Sequence, residues 1–212
     1  MPMKIEYKFS QWGPLFLETE IDKEFRDVLL EKGKASREKS LDHSKNLAAV
    51  IDNAYYYDDV GDWYFSRMQP YINLYLELLG NYMGDCLWLN TPHPSKFTRW
   101  ELIQLWINFQ KAKEYNPPHD HGGDLSFVIY LQVPDEIKEE NERTKGEHRN
   151  EGAGIISFDY GQKAPFSICR QLRMPEEGKL LIFPAWLMHH VHAFESDVER
   201  ISVSGNIWIK YD

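Results

Sequence analysis

At Phe97 the hydrophobic pattern of this 212-residue chain changes its period, and that change constrains the fold more than any other feature. Upstream, apolar residues recur at helical spacing. Asp22 caps a helix through DKEFRDVLLEKGK, with Phe25, Val28 and Leu29 on one face and Gly33 near its end. A second, longer helix spans about 62–82, where Phe65, Met68, Ile72, Tyr75, Leu76 and Leu79 share a side. Pro70 bends this helix or marks a break within it. Downstream, apolar and polar residues alternate. Leu105, Ile107 and Phe109 oppose Gln104, Trp106, Asn108 and Gln110. Phe127, Ile129, Leu131 and Val133 oppose Ser126, Val128, Tyr130 and Gln132. Ile201, Val203, Ile207 and Ile209 oppose Arg200, Ser202, Ser204, Asn206 and Trp208. A period of two means β-strands.

The composition of the polar faces narrows this further. A sheet with one wet face would carry Lys and Glu there. These faces instead set Trp106, Tyr130 and Trp208 among Asn, Gln, Ser and Arg. Aromatic and uncharged polar groups together suit the lining of a cavity. The expected architecture is mostly β with N-terminal helices, a barrel-like or jelly-roll sandwich whose aliphatic faces pack on the helices and on the second sheet. The length suits one domain, 1–212, with a mainly helical part, 1–96, packed on a core spanning 97–212. The stretch 135–151, DEIKEENERTKGEHRNE, is a charge run expected to form a solvated loop, with a mobile lid as the alternative.

Hydrophobic residues at 42% and aromatics at 14% are enough for a packed core. The net charge of −9 argues against a nucleic-acid groove or an anionic membrane surface as partner. Two distant cysteines, Cys86 and Cys169, fit a reducing compartment. With no apolar signal core and no membrane-length apolar run, a soluble cytoplasmic protein is expected.

The chemistry concentrates in NPPHDHGGD, 116–124. Histidines at i and i+2 on a strand point to one face with Cα atoms about 7 Å apart, so His119 and His121 can converge on one metal ion. Asp120 points the other way. The later segment FPAWLMHHVHAFESDVERISVSGN supplies a third candidate ligand, His189. On a strand starting there, His190 and His192 fall on the opposite face, as outer-face or packing residues. Arg200 and Ser202 then share a face of the next strand, a guanidinium and a hydroxyl suited to holding a carboxylate.

These segments, W-I-N-F followed by NPPHDH, LSFVIYLQVP, EEGKLLIFPAWLMHHV and ER-I-S-V-S-G-N, resemble the 2-oxoglutarate and iron(II)-dependent oxygenase superfamily, in particular its small, prolyl-hydroxylase-like bacterial and phage branch. The resemblance covers about 102–209. It implies a double-stranded β-helix (a jelly-roll, cupin-like barrel) with Fe(II) and 2-oxoglutarate as cofactors. It further implies hydroxylation of a small molecule or protein side chain with O2, and succinate and CO2 as coproducts. Arg200 and Ser202 would meet the distal carboxylate, Asn108 and Tyr130 would bind the cosubstrate, and Trp106, Ser126 and Asn206 would line the cavity. No catalytic residue beyond the metal ligands is implied. The commonest ligand set in the superfamily is His-x-Asp with a distal His. Here His121 stands where that Asp would be, so the set is either His119, His121 and His189, or one completed by Asp124. Two rivals remain at this point: a cupin-like metal-binding protein or isomerase without 2-oxoglutarate, and a non-catalytic β-sandwich. The oligomeric state is open, and a homodimer through exposed strands or helices would be unsurprising.

Overall fold

The computed structural model describes residues 13–83, 96–146 and 151–211. Cys86 and residues 147–150, near the end of the charge run, lie outside the described residues. In chain order the elements are β1 (Leu17–Glu20), α1 (Lys23–Glu38), a 3-10 turn (Ser44–Asn46), β2 (Ala54–Tyr56), α2 (Asp62–Met83), β3 (Phe97–Gln110), β4 (Asn116–His119), β5 (Leu125–Gln132), α3 (Asp135–Thr144), β6 (Ile156–Asp159), β7 (Arg170–Arg173), β8 (Lys179–Pro184), β9 (Met188–Val191) and β10 (Arg200–Tyr211).

The strands form a six-stranded sheet, β1-β8-β5-β10-β3-β2, and a four-stranded sheet, β4-β9-β6-β7, every pairing antiparallel. Together they make the expected double-stranded β-helix. The larger sheet buries both faces. Leu105, Ile107, Phe109, Phe127, Ile129, Ile201, Val203 and Ile207 turn outward and pack under α1 and α2, against Phe25, Leu29, Tyr64, Met68 and Ile72. The opposite face looks into the barrel, where Val128, Tyr130, Leu181 and Phe183 meet Ile156 and Phe158 of the smaller sheet and Leu187 of the turn before β9.

The helices follow their caps and stripes, with corrections. The Asp22 carboxylate accepts from the Phe25 amide at 2.8 Å and starts α1, which buries Phe25, Leu29, Gly33 and Ser36. Val28 is only half-buried. Gly33 does not end this helix. A Cβ there would stand 2.2 Å from Ile107 Cδ1 and 2.8 Å from the Tyr57 hydroxyl, so its absence lets α1 lie directly on the sheet. In α2 Tyr64 is fully buried together with Met68, Ile72 and Tyr75, whereas Phe65 is half-buried. The helix continues through Pro70, which is exposed.

The described N-terminal part is mainly helical, and its two short strands, β1 and β2, close both edges of the larger sheet. Two expectations need larger correction. The charge run is not a loop, because Asp135–Thr144 folds as α3. Its Ile137 packs with Ala153 and Phe194, and its Asn141 donates to the Ala153 carbonyl at 2.9 Å. Those buried anchors remove the grounds for a lid. Finally, Trp208 is 44% exposed and carries Lys210 over its ring, so it belongs to the surface and not to the cavity lining. The register shift between Asn206 and Ile207 puts the extra residue, Ile103, on β3, while Ile207 and Ile209 keep their place in the helix-facing cluster. Another shift, at Ile201/Ser202 against β5, moves Val133 from the helix-facing cluster to the inner one. No helix of the described residues is long and apolar enough to cross a membrane.

Candidate metal centre and anion pocket

The two sheets bring three imidazoles together inside the barrel. His119 ends β4 and pairs in register with His189 on β9; His121 follows after one residue, its amide bonded to the Ala185 carbonyl at 2.9 Å. Ring centroids are 4.2 Å apart for His119 and His189, 4.8 Å for His119 and His121, and 5.0 Å for His121 and His189. One ligand nitrogen of each lies within 4.8 Å of those of the other two. Two nitrogens bonded at ~2.1 Å to one ion stand at most ~4.2 Å apart, so small ring rotations complete the shell.

The surroundings prepare these rings as ligands. His189 Nδ1 sits 2.8 Å from the Leu187 carbonyl and His119 Nδ1 2.7 Å from the Pro117 carbonyl. A carbonyl accepts only from N–H, so each Nδ1 carries the proton and each Nε2 keeps its lone pair. The Asn116 amide donates to His119 Nε2 at 3.2 Å, a bond that a metal ion on that nitrogen would replace. Burial, with the neighbouring histidines, lowers the pKa of His189 well below its ordinary value and brings His121 to about 4. Burial lowers His119 as well. All three are therefore neutral near pH 7, the form that binds metal. The rings of Phe158 and Phe183 wall His189 at 5.8 and 4.9 Å.

Asp124 does not join them. It is exposed, and its carboxylate accepts from the Ile209 amide at 2.7 Å. That bond belongs to the strand edge at β10 and turns the carboxylate away from the histidines. Asp120 is also exposed.

A small cavity of about 50 Å³ continues from His189 toward Arg200, lined among others by Asn108, Gln110, Tyr130, Ser202 and Ser204. Register explains the gathering: Arg200 faces Gln110, and Ser202 faces Asn108 on one side and Tyr130 on the other. Arg200 is 3% exposed. It donates to the Gly154 carbonyl and the Gln110 side-chain carbonyl, and its guanidinium lies 5.6 Å from the Tyr130 ring centroid. It has no carboxylate partner among the described residues, and burial lowers its pKa. Arg200 Nε and Asn108 Oδ1 are buried without partners. Burial raises the Tyr130 phenol to about 12, so it stays a neutral donor. A buried cation held only by neutral carbonyls, beside unpaired polar atoms, is what an anionic ligand would complete.

Two sequence-level lining residues sit elsewhere. The Ser126 hydroxyl donates to Asn206 Oδ1 at 2.7 Å, and neither side chain lines this cavity. Trp106 is buried with its ring 6.0 Å from His121, on the metal side. Gln110 and Gly154, which hold Arg200, were not singled out from sequence. For Gln110 the signal was available, since it shares the inner face of β3 with Asn108. Gly154 has φ +67°, and a Cβ there would stand 2.5 Å from Ile137 Cγ2, a requirement that exists only in the folded chain.

Residues 104–206, which carry all of these groups, match the family model described as putative 2OG-Fe(II) oxygenase. That match covers 103 of the 212 residues, and over them the barrel is similar to the family, whose description names iron(II) and 2-oxoglutarate (2OG). The chain is similar in fold to a Pseudomonas putida prolyl-4-hydroxylase (TM-score 0.58, 9% identity, covering 93% of this chain and 92% of that one). It is similar also to the viral collagen prolyl hydroxylase of Paramecium Bursaria Chlorella virus-1, in a structure with 2-oxoglutarate (0.54, 12%, 91% and 94%). A third likeness is to the non-heme alpha-ketoglutarate-dependent carbocyclase SnoK from nogalamycin biosynthesis (0.56, 12%, 92% and 79%). No curated protein sequence matches the chain.

Proposed function

We propose that this oxygenase binds Fe(II) through His119, His121 and His189, binds 2-oxoglutarate with its distal carboxylate on Arg200, and hydroxylates its substrate. The observation that carries the reading is Arg200: a buried guanidinium with no acidic partner among the described residues, lining the same cavity as His189. Removing charge from water is unfavourable unless a counter-charge is supplied, and a dianionic acid supplies it.

Three neutral histidines suit iron(II), with the deficit of negative charge offset by the cosubstrate. Bound there, iron with 2-oxoglutarate and oxygen supplies the oxidising chemistry. The chain's own residues bind and orient. Arg200 offers its donors to one carboxylate and Ser202 adds a hydroxyl. The Tyr130 phenol is a further neutral donor on the same wall. Gln110 and the Gly154 carbonyl hold the guanidinium in place without neutralising it. Phe158 and Phe183 keep water from the inner side of His189. Hydroxylation is the outcome that two of the fold neighbours carry in their names. The substrate is a small molecule or a protein side chain.

The test is calorimetric titration of 2-oxoglutarate into anaerobic, iron-loaded protein, with succinate release measured on admitting oxygen. Binding and succinate release in wild type, both lost in Arg200→Ala with iron retained, support the reading. Wild-type protein that binds iron but not 2-oxoglutarate would leave the cupin-like alternative.

A further inference from the structure

The second face of β9 carries another histidine cluster. His189 points into the barrel. His190 and His192 point away from it, and their ring centroids are 4.5 Å apart. Glu151 joins them: one ligand atom of each of Glu151, His190 and His192 lies within 4.8 Å of those of the others. We propose that this triad is a second metal site, separate from the barrel interior, that takes a borderline divalent cation such as zinc(II).

The arrangement of the ligand atoms supports this. Arg170 donates to Glu151 Oε1. The other oxygen, Oε2, is thereby aimed between the imidazoles, 3.3 Å from His192 Nε2 and 4.0 Å from His190 Nε2. The Ser157 hydroxyl stands at the same point, 2.9 Å from His192 Nε2 and 3.2 Å from Glu151 Oε2. Two imidazole nitrogens, a carboxylate oxygen and a neutral oxygen are a tetrahedral zinc donor set, the last position filled by Ser157 or by water.

A second, independent observation concerns His190 Nδ1. It is buried with no hydrogen-bond partner, and Asp159 Oδ2 stands 3.9 Å away. A metal on Nε2 obliges Nδ1 to carry the proton, and a carboxylate behind it is the usual orienting partner. Asp159 is itself fixed by Arg170, at 2.5 Å from Nε and 2.9 Å from Nη2. Two carboxylates and one guanidinium leave the cluster one net negative charge while the imidazoles are neutral, so a cation is favoured. Strand register builds all of this on one face: Ser157 lies beside His190, and Asp159 beside Arg170.

The test uses full-length protein without a histidine tag, freed of metal, dialysed against zinc(II) alone and analysed for metal by mass spectrometry. Zinc also suits three histidines, so wild type is expected to hold two equivalents, Glu151→Gln/His192→Gln one, and His119→Ala/His121→Ala one. If wild type holds a single equivalent that only the His119/His121 variant loses, the second site is overturned. If Glu151→Gln/His192→Gln loses an equivalent while His119→Ala/His121→Ala keeps both, the second site stands and the barrel triad fails. Asp159→Asn leaves every ligand in place and guards against misfolding of the double variant. It should weaken the second equivalent roughly 10–100-fold, and unchanged affinity would count against the site.

Discussion

His119 and His189 are register partners across the β4–β9 ladder, with imidazole centroids 4.2 Å apart, although one lies in the first third of the barrel segment and the other near its end. Each gives its Nδ1 proton to a backbone carbonyl two residues earlier, at Pro117 and Leu187. The backbone therefore sets which nitrogen of each ring faces the other.

That pairing makes the metal ligands separable from the fold. His119 and His121 are only half-buried. Replacing either by Ala should abolish iron(II) binding in equilibrium dialysis while the far-ultraviolet circular dichroism stays as in wild type. Full iron occupancy in both variants would remove the three-histidine centre.

Arg200 should dominate cosubstrate affinity. Leaving a buried carboxylate unpaired costs about 3–5 kcal/mol, so Arg200→Ala should weaken 2-oxoglutarate binding by roughly two to four orders of magnitude. Arg200→Lys keeps the charge but loses the fork and should fall between Ala and wild type. Ser202→Ala removes one hydrogen bond, about 1 kcal/mol. Calorimetry on the three variants gives the order directly, and a Ser202→Ala effect larger than that of Arg200→Ala would contradict it.

Glu140 ties α3 to the turn before β10. Its carboxylate accepts from the Glu195 amide at 2.8 Å, the Ser196 amide at 2.9 Å and the Ser196 hydroxyl at 2.6 Å. Burial pushes its pKa up, but those three donors outweigh it and hold the pKa below the ordinary value of 4.5. The unfolded chain then binds the proton more readily. The stabilisation is present in full above that ordinary value and is lost as pH falls through it toward the folded-state pKa. Glu140→Gln should be less stable than wild type by about 2 kcal/mol at pH 7. Urea titrations should show this gap narrowing below pH 4.5; a gap of constant size would mean the carboxylate charge is not what matters.

Gly33→Ala should destabilise despite improving helix propensity. Propensity favours Ala by about 1 kcal/mol. The new Cβ would stand 2.2 Å from Ile107 Cδ1, and forcing a methyl into a packed contact costs about 1–3 kcal/mol. A lowered thermal midpoint is expected. A raised midpoint would show that Ile107 can rotate aside.

The sequence by itself determined the local elements and the alternation of faces. Asp22 as cap, the stripe in α2, and the sidedness of β3, β5 and β10 follow from short-range periodicity, and so do the three imidazoles and the Arg200–Ser202 pair. What periodicity could not reach depends on distance in space. α3 is so rich in charge that only Ile137, Glu140 and Asn141, meeting partners around Ala153 and Ser196, make it a packed helix. Asp124 was an alternative ligand until the Ile209 amide claimed its carboxylate, and Trp208 keeps the parity of the inner face yet is 44% exposed. Ser126 and Asn206 bond to each other across two strands, a pairing that neither segment shows alone. Gly154, Gln110 and the Glu151–His190–His192 cluster are functional candidates only through contacts between distant segments. Side-chain direction is a local property of the backbone, whereas the partner that meets a side chain is chosen by how the sheets stack and slip.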